Sequence, residues 1–217
     1  MSNYKKIKKF SCIIVGASML TISATGMNEI AKATDSGHNS NCSKDLCEHG
    51  YHTFNDYYLK SANGSKNGKK YYYIDTSTFQ SADIQYVLAG FSEWMTIEYI
   101  RNYIDLNRTY SQTSAQITIK KGSVSEGAAG ITAYCLKAGD SFLEAAPYGN
   151  YYKTLITLDE SLNTSQLRLV SIHEIGHAMG LSHAECQEYN SVMWPAYDNM
   201  AGSITSFDKK NLRHIYC

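Results

Sequence analysis

The stretch His173-Glu174-Ile175-Gly176-His177-Ala178-Met179-Gly180-Leu181-Ser182-His183 decides how this chain is read. Residues four apart share one face of a helix. His173 and His177 therefore present two imidazole nitrogens to one ion, at the ~2.0–2.1 Å typical of zinc. Glu174 is offset around the helix and reaches a water on the metal rather than the metal. Gly180 accepts the left-handed backbone with which a chain turns out of a helix. The turned segment then delivers His183 as a third nitrogen ligand. Three protein ligands leave a fourth position for water, the pattern of a catalytic rather than a structural zinc. Zinc brings the pKa of that water to about 7 and polarises a carbonyl. In this reading Glu174 is the general base that takes the water's proton and passes it to a leaving amine. HExxH alone is modest evidence, but three of the chain's seven histidines fall on the extended pattern. Ordinary helix histidines are the weaker explanation.

Outward from this stretch, Thr164 or Ser165 is the expected cap of the helix bearing the first two histidines. Ile84, Val87, Leu88, Phe91, Trp94 and Met95 recur at helical spacing and predict a long helix from about Ala82 to Tyr103, capped by Ser81, with a core-facing stripe. Tyr71–Ile74, Ala115–Lys120, Gly127–Tyr134 and Tyr152–Leu158 read as strands. Ser61–Lys70 is rich in Ser, Asn, Gly and Lys and reads as a flexible loop or boundary. A last helix is expected from about Phe207 to Tyr216, with Thr205 and Asp208 at capping-box spacing. These elements predict one α+β or mixed α/β domain.

The 217 residues suit one ordinary domain, and 43% apolar content supports a real core. Lys5, Lys6, Lys8 and Lys9 precede the apolar run Phe10–Ile22, which is short for a bilayer span. Ala31-Lys32-Ala33 follows as a small-x-small cleavage site. The expectation is a signal peptide over 1–33, cleaved after Ala33, and a secreted, extracellular product; an uncleaved anchor is the competing reading. Cleavage leaves 15 basic against 19 acidic side chains, a formal charge of −4. That balance suggests neither nucleic acid nor a stable membrane association, and a monomer is expected. Cys42, Cys47, Cys135, Cys186 and Cys217 remain after cleavage. Export favours disulfides, but an odd count leaves one thiol over and spacing does not fix the pairing.

The pattern HExxHxxGxxH resembles the metzincin signature, which a methionine turn follows. Ser191-Val192-Met193-Trp194-Pro195-Ala196-Tyr197 stands where that turn belongs. Its small-x-Met-x-Pro-x-Tyr form is most similar to the matrixins, the matrix metalloproteinase family, of the secreted bacterial type. Thr205–Tyr216 resembles their closing helix and Gly127–Tyr134 their upper edge strand, so the similarity spans about residues 71–217. The resemblance implies a single metzincin-like α+β catalytic domain: a twisted mixed β-sheet with long helices, a zinc cleft, a Met-turn and a C-terminal helix. It also implies a zinc metalloendopeptidase acting on protein or peptide substrates, with one catalytic Zn²⁺ on His173, His177 and His183. Met193 would form an apolar floor without ligating. Pro195 to Tyr197 would wall a substrate pocket whose depth is set partly by Leu169, with Leu, Met, Ile or Phe preferred just after the scissile bond. An extended peptide would add to the edge strand Ala128–Tyr134 by main-chain hydrogen bonds.

The chain also departs from related patterns. Astacin-like and serralysin-like enzymes place a tyrosine two residues after the Met; here Pro195 stands there, so no tyrosine ligand is expected. Ala184 follows His183 in place of a serine or aspartate. No histidine lies between His52 and His173, so no second, structural zinc is expected. Asp159 and Glu160 fall where the family has an acidic segment, which admits calcium; solvated surface charge is the preferred reading of these residues. Residues 34–70 form a polar N-terminal segment before the protease domain at 71–217. Cys42-x4-Cys47-x-His49-x2-His52 within it admits a local disulfide, a metal site or a short pro-segment that masks the zinc. From another class, a binding protein that keeps the zinc for structure is the rival function; an intact Glu174 and an open fourth site argue against it.

Overall fold

The computed structural model describes residues 51–184 and 190–216. The expected leader with its cleavage site, and Cys42, Cys47, His49, Cys186 and Cys217, lie outside them. Cys135 is described, and is a buried free thiol.

One five-stranded sheet runs in the order β2-β1-β3-β5-β4, with β1 at Gly68–Ile74, β2 at Ile104–Arg108, β3 at Ile117–Gly122, β4 at Gly130–Cys135 and β5 at Lys153–Asp159. The first four strands in that order are parallel, and β4 alone is antiparallel, with Gly130 opposite Leu158 and Cys135 opposite Lys153. The helices are α1 (Ser81–Met95), α2 (Glu98–Tyr103), α3 (Thr164–Ala178) and α4 (Ser206–Tyr216). Helix α3 packs on β4, β5 and α1 and forms the centre of the molecule. The approach of α1 is close because Gly90 has no side chain: a Cβ there would meet Ser171 Cβ at 3.0 Å. Trp94 Nε1 donates across the same contact to the Ile172 carbonyl at 2.9 Å.

Several local expectations need correction. The single helix over 82–103 is two. The Thr96 hydroxyl donates to the Glu93 carbonyl at 2.7 Å, competing with the helical ladder. Ile97 then turns to extended backbone, and Ile97 and Ile100 are buried. Gln80 rather than Ser81 precedes α1. Asn163, not Thr164 or Ser165, caps α3, in a full capping box with Gln166. Strand β2 was not expected; it follows α2 directly and offers only Ile104 and Leu106 as buried alternating positions.

Ser61–Lys70 is more ordered than its composition suggests. Ser61 and Lys70 are buried, Gly68–Lys70 belong to β1, and Lys70 Nζ donates to the Lys66 carbonyl at 2.9 Å. Upstream, Leu59 is fully buried and bridges to Tyr151, and its N–H donates to Tyr216 Oη at 3.3 Å.

Candidate active site

Helix α3 is buried on every side from Val170 to Ala178, which is why its sequence shows no amphipathic stripe. Among those residues are His173, Glu174 and His177, each with no solvent exposure. Burying three ionisable groups on one turn of helix is costly unless each is matched by a partner or a ligand. The helix ends at Ala178 with Met179 as its C-cap, and Gly180 takes φ +107°. Leu181 N–H returns to the Gly176 carbonyl at 3.1 Å and Gly180 N–H to that of His177 at 2.9 Å, a Schellman closure. A Cβ at position 180 would meet the Tyr57 carbonyl oxygen at 2.5 Å, so glycine is required there twice over.

The turned segment is held by residues 52–54. Phe54 N–H donates to Gly180 O at 3.0 Å, Ser182 N–H donates to His52 O at 3.1 Å, and Thr53 bridges to Leu181. His52 Nδ1 faces the His183 carbonyl at 3.0 Å. The descent of the chain past Gly180 thereby brings His183 to the first two histidines. The ligand atoms of His173, His177 and His183 lie within 4.8 Å of one another, the one such group of metal-capable side chains among the described residues.

Their hydrogen bonds decide which nitrogens are free. His173 Nδ1 meets the Val192 carbonyl at 2.8 Å and His177 Nδ1 the Leu181 carbonyl at 2.7 Å. A carbonyl only accepts, so both Nδ1 atoms carry the proton. Burial pushes His177 down to about 4 and, with the neighbouring imidazoles, holds His173 and His183 well below the usual histidine range. Neutral rings protonated at Nδ1 expose lone pairs at Nε2. Those of His173 and His177 face each other at 2.9 Å, and His183 Nε2 is buried without a hydrogen-bond partner. Converging lone pairs repel unless a cation lies among them. Three neutral imidazoles, two of them oriented by backbone carbonyls, are a donor set that fits zinc.

Glu174 points to β4. Thr132 Oγ1 donates to its Oε2 at 2.6 Å, while Oε1 is buried without a partner. Before any cation is bound, burial pushes the Glu174 carboxyl up to about 8, partly offset by the Thr132 hydrogen bond. Positive charge nearby lowers a carboxyl pKa. A Cβ at Gly130 would meet Glu174 Cγ and Oε1 at 2.9 Å, so the strand leaves room for the carboxyl only through that glycine.

The 191–193 turn packs against α3 beside the triad. Met193 lies against Gly176, where a Cβ would meet its sulfur at 2.5 Å, and Ala184 N–H donates to the Met193 carbonyl at 2.9 Å. Asp208, at the start of α4, accepts from the Ser191 hydroxyl, from Val192 N–H at 3.2 Å and from Thr205 Oγ1 and N–H at 2.8 Å each. The expected Thr205–Asp208 box is present and does more than cap a helix. Leu169 stands one turn before His173; Leu169, Pro195 and Tyr197 are all half-buried.

Sequence reasoning missed Thr132, Gly130, Val192, Leu181 and Asp208 as contributors to the site. Three of them act through backbone groups or an absent side chain, which residue type does not advertise. The implied calcium site gains no support: Asp159 Oδ1 accepts from Ser161 N–H at 2.9 Å and from the Ser161 hydroxyl.

Three neutral imidazoles, two fully buried and one half-buried, stand beside a buried carboxyl on a helix closed by a glycine turn and packed against a methionine, an arrangement that suits a metallopeptidase site. A family model described as matrixin matches residues 75–217, and the chain belongs to that family. Membership makes it a zinc-dependent metallopeptidase acting on proteins or peptides. Comparison with curated proteins found no match. No helix among the described residues is long and apolar enough to cross a membrane.

Proposed function

We propose that this chain is a secreted zinc endopeptidase in which Glu174 is the general base and His173, His177 and His183 hold the ion. The observation that supports this best is the convergence of three histidine nitrogens beside a carboxyl that has one oxygen tied and one left over. When bound there, zinc would acidify a water and polarise the scissile carbonyl. Glu174 Oε1 is the oxygen left to take a proton and return it to the leaving amine. Met193, packed against Gly176, would form an apolar floor beneath the metal without ligating it.

Substrate would lie along β4. Ala129 and Cys135 direct their carbonyls to β5. By the alternation of an antiparallel ladder, Gly130, Thr132 and Tyr134 direct theirs to the outer edge. Tyr134 is already paired there with Leu143 through two hydrogen bonds of 2.8 Å. The edge expected over Ala128–Tyr134 is thus shortened to about Gly130–Thr132, and an extended peptide would add to that part. Leu169, Pro195 and Tyr197 would shape an apolar pocket for the residue after the scissile bond; a strict preference for charge there in a peptide-library profile would remove that assignment. The basic and apolar stretches before Ala33 support export, which N-terminal sequencing of the mature product tests.

Glu174→Ala should retain about one zinc per chain and lose roughly 10²–10⁴-fold in hydrolysis. His177→Ala should lose both metal and activity. A structural-zinc binding protein predicts no functional effect of Glu174→Ala, and cleavage at the wild-type rate by that variant would end the proposal.

A further inference from the structure

Thr132 is buried in β4, and its hydroxyl has one proton to give. Two acceptors lie near: Glu174 Oε2 at 2.6 Å and the Glu174 carbonyl at 3.2 Å. The shorter distance and the carboxylate's charge direct the proton to Oε2. The terminal torsion of a glutamate is broad and roughly two-fold, so an untethered carboxyl turns readily. Among the described residues nothing else holds this one: Oε1 has no hydrogen-bond partner, and Gly130 offers no side chain to it.

We propose that Thr132 is a positioning residue for Glu174, holding Oε2 so that Oε1 remains the oxygen available for proton transfer. The inference rests on the reading of Glu174 as general base. It also joins two tasks at one residue. The main-chain groups of Thr132 face the outer edge of β4, the side on which a peptide would add, while its side chain fixes the carboxyl on α3. Position 132 therefore sets substrate strand and base in one frame.

Full-length Thr132→Val, Thr132→Ser and Thr132→Ala are compared with wild type for zinc stoichiometry, thermal midpoint, kcat and KM. Val keeps the shape and removes the hydroxyl; Ser keeps the hydroxyl. The expected result is a kcat about 10–100-fold lower in Val, the range seen when an orienting partner is lost. KM and one zinc per chain should be unchanged, and Ser should recover most of kcat. If Val does not fold, Ser against Ala carries the same comparison. Wild-type kcat in Val, or a loss that Ser does not restore, or loss of zinc in parallel with kcat, overturns the inference. With Glu174→Ala inactive, those outcomes leave the general base standing; an active Glu174→Ala removes both.

Discussion

Asp208 is the residue whose removal should spread furthest from its own position. It is fully buried and accepts four hydrogen bonds, two from the 191–193 turn and two from Thr205. In Asp208→Ala, Val192 N–H and the Ser191 hydroxyl lose a charged acceptor in the interior, at about 1.5 kcal/mol each. The α4 cap is lost as well, at about 1 kcal/mol. The expected cost is about 4 kcal/mol. Asp208→Asn keeps an oxygen for Val192 and Thr205, and its amide can donate to Ser191 Oγ. It should cost only about 1–2 kcal/mol, the neutral acceptor being the weaker one. Val192 also supplies the carbonyl that orients His173. Displacing it should weaken zinc binding by about 10–100-fold in Asp208→Ala. Urea unfolding of the metal-free proteins gives the first quantity, and zinc titration against a competing chelator gives the second. A loss below about 1 kcal/mol for Ala, or wild-type zinc affinity in a destabilised Ala variant, would refute the coupling of this turn to the triad.

The metal-free protein should be most stable near pH 6.5. Below that, an unfolded chain protonates its histidines while the buried triad stays neutral. Stability therefore falls with pH, and His177 alone, held at about 4, contributes about 3 kcal/mol. From pH 6.5 to 8 the folded Glu174 keeps a proton that the unfolded chain has released, so stability falls as pH rises, by about 2 kcal/mol. Chelator-treated wild type and Glu174→Gln, unfolded in urea across pH 4–8, test both limbs: the alkaline limb should vanish in the variant and the acid limb should remain. Lys70, pushed down to about 8 by burial, carries a charge at neutral pH that the fold resists. Its folded pKa lies below its unfolded one, so this penalty disappears only as pH rises through 8 to 10.5. Lys70→Met should stabilise the protein at pH 7 by about 1–3 kcal/mol and gain little at pH 10; destabilisation at pH 7 would show that the bond to Lys66 and the contact with the Tyr216 ring outweigh burial.

What was legible in the sequence was whatever side-chain identity and spacing alone determine. The His173–His183 pattern announced that three histidines come together across a turn, and Gly180 has the left-handed backbone assigned to it. The stripe through Val87, Phe91 and Trp94 does face the core. Tertiary facts were not legible. The break after Thr96 depends on a side-chain bond to a carbonyl, and β2 exists because β1 offers it an edge. Lys70 looked like loop because lysine seldom enters a core, and its burial follows from the strand it occupies. The tie between Thr132 and Glu174 spans 42 positions and two elements, so no local pattern announces it.

The central claim is that His173, His177 and His183 hold one zinc on which hydrolysis depends. The most direct measurement removes metal from the purified protein with a chelator, then follows cleavage of an unstructured peptide as zinc is added back. The metal-free protein should show no cleavage and recover fully at one equivalent of zinc, while His183→Ala should bind no stoichiometric zinc and recover nothing. Cleavage by the metal-free protein, or recovery undiminished in His183→Ala, would contradict it.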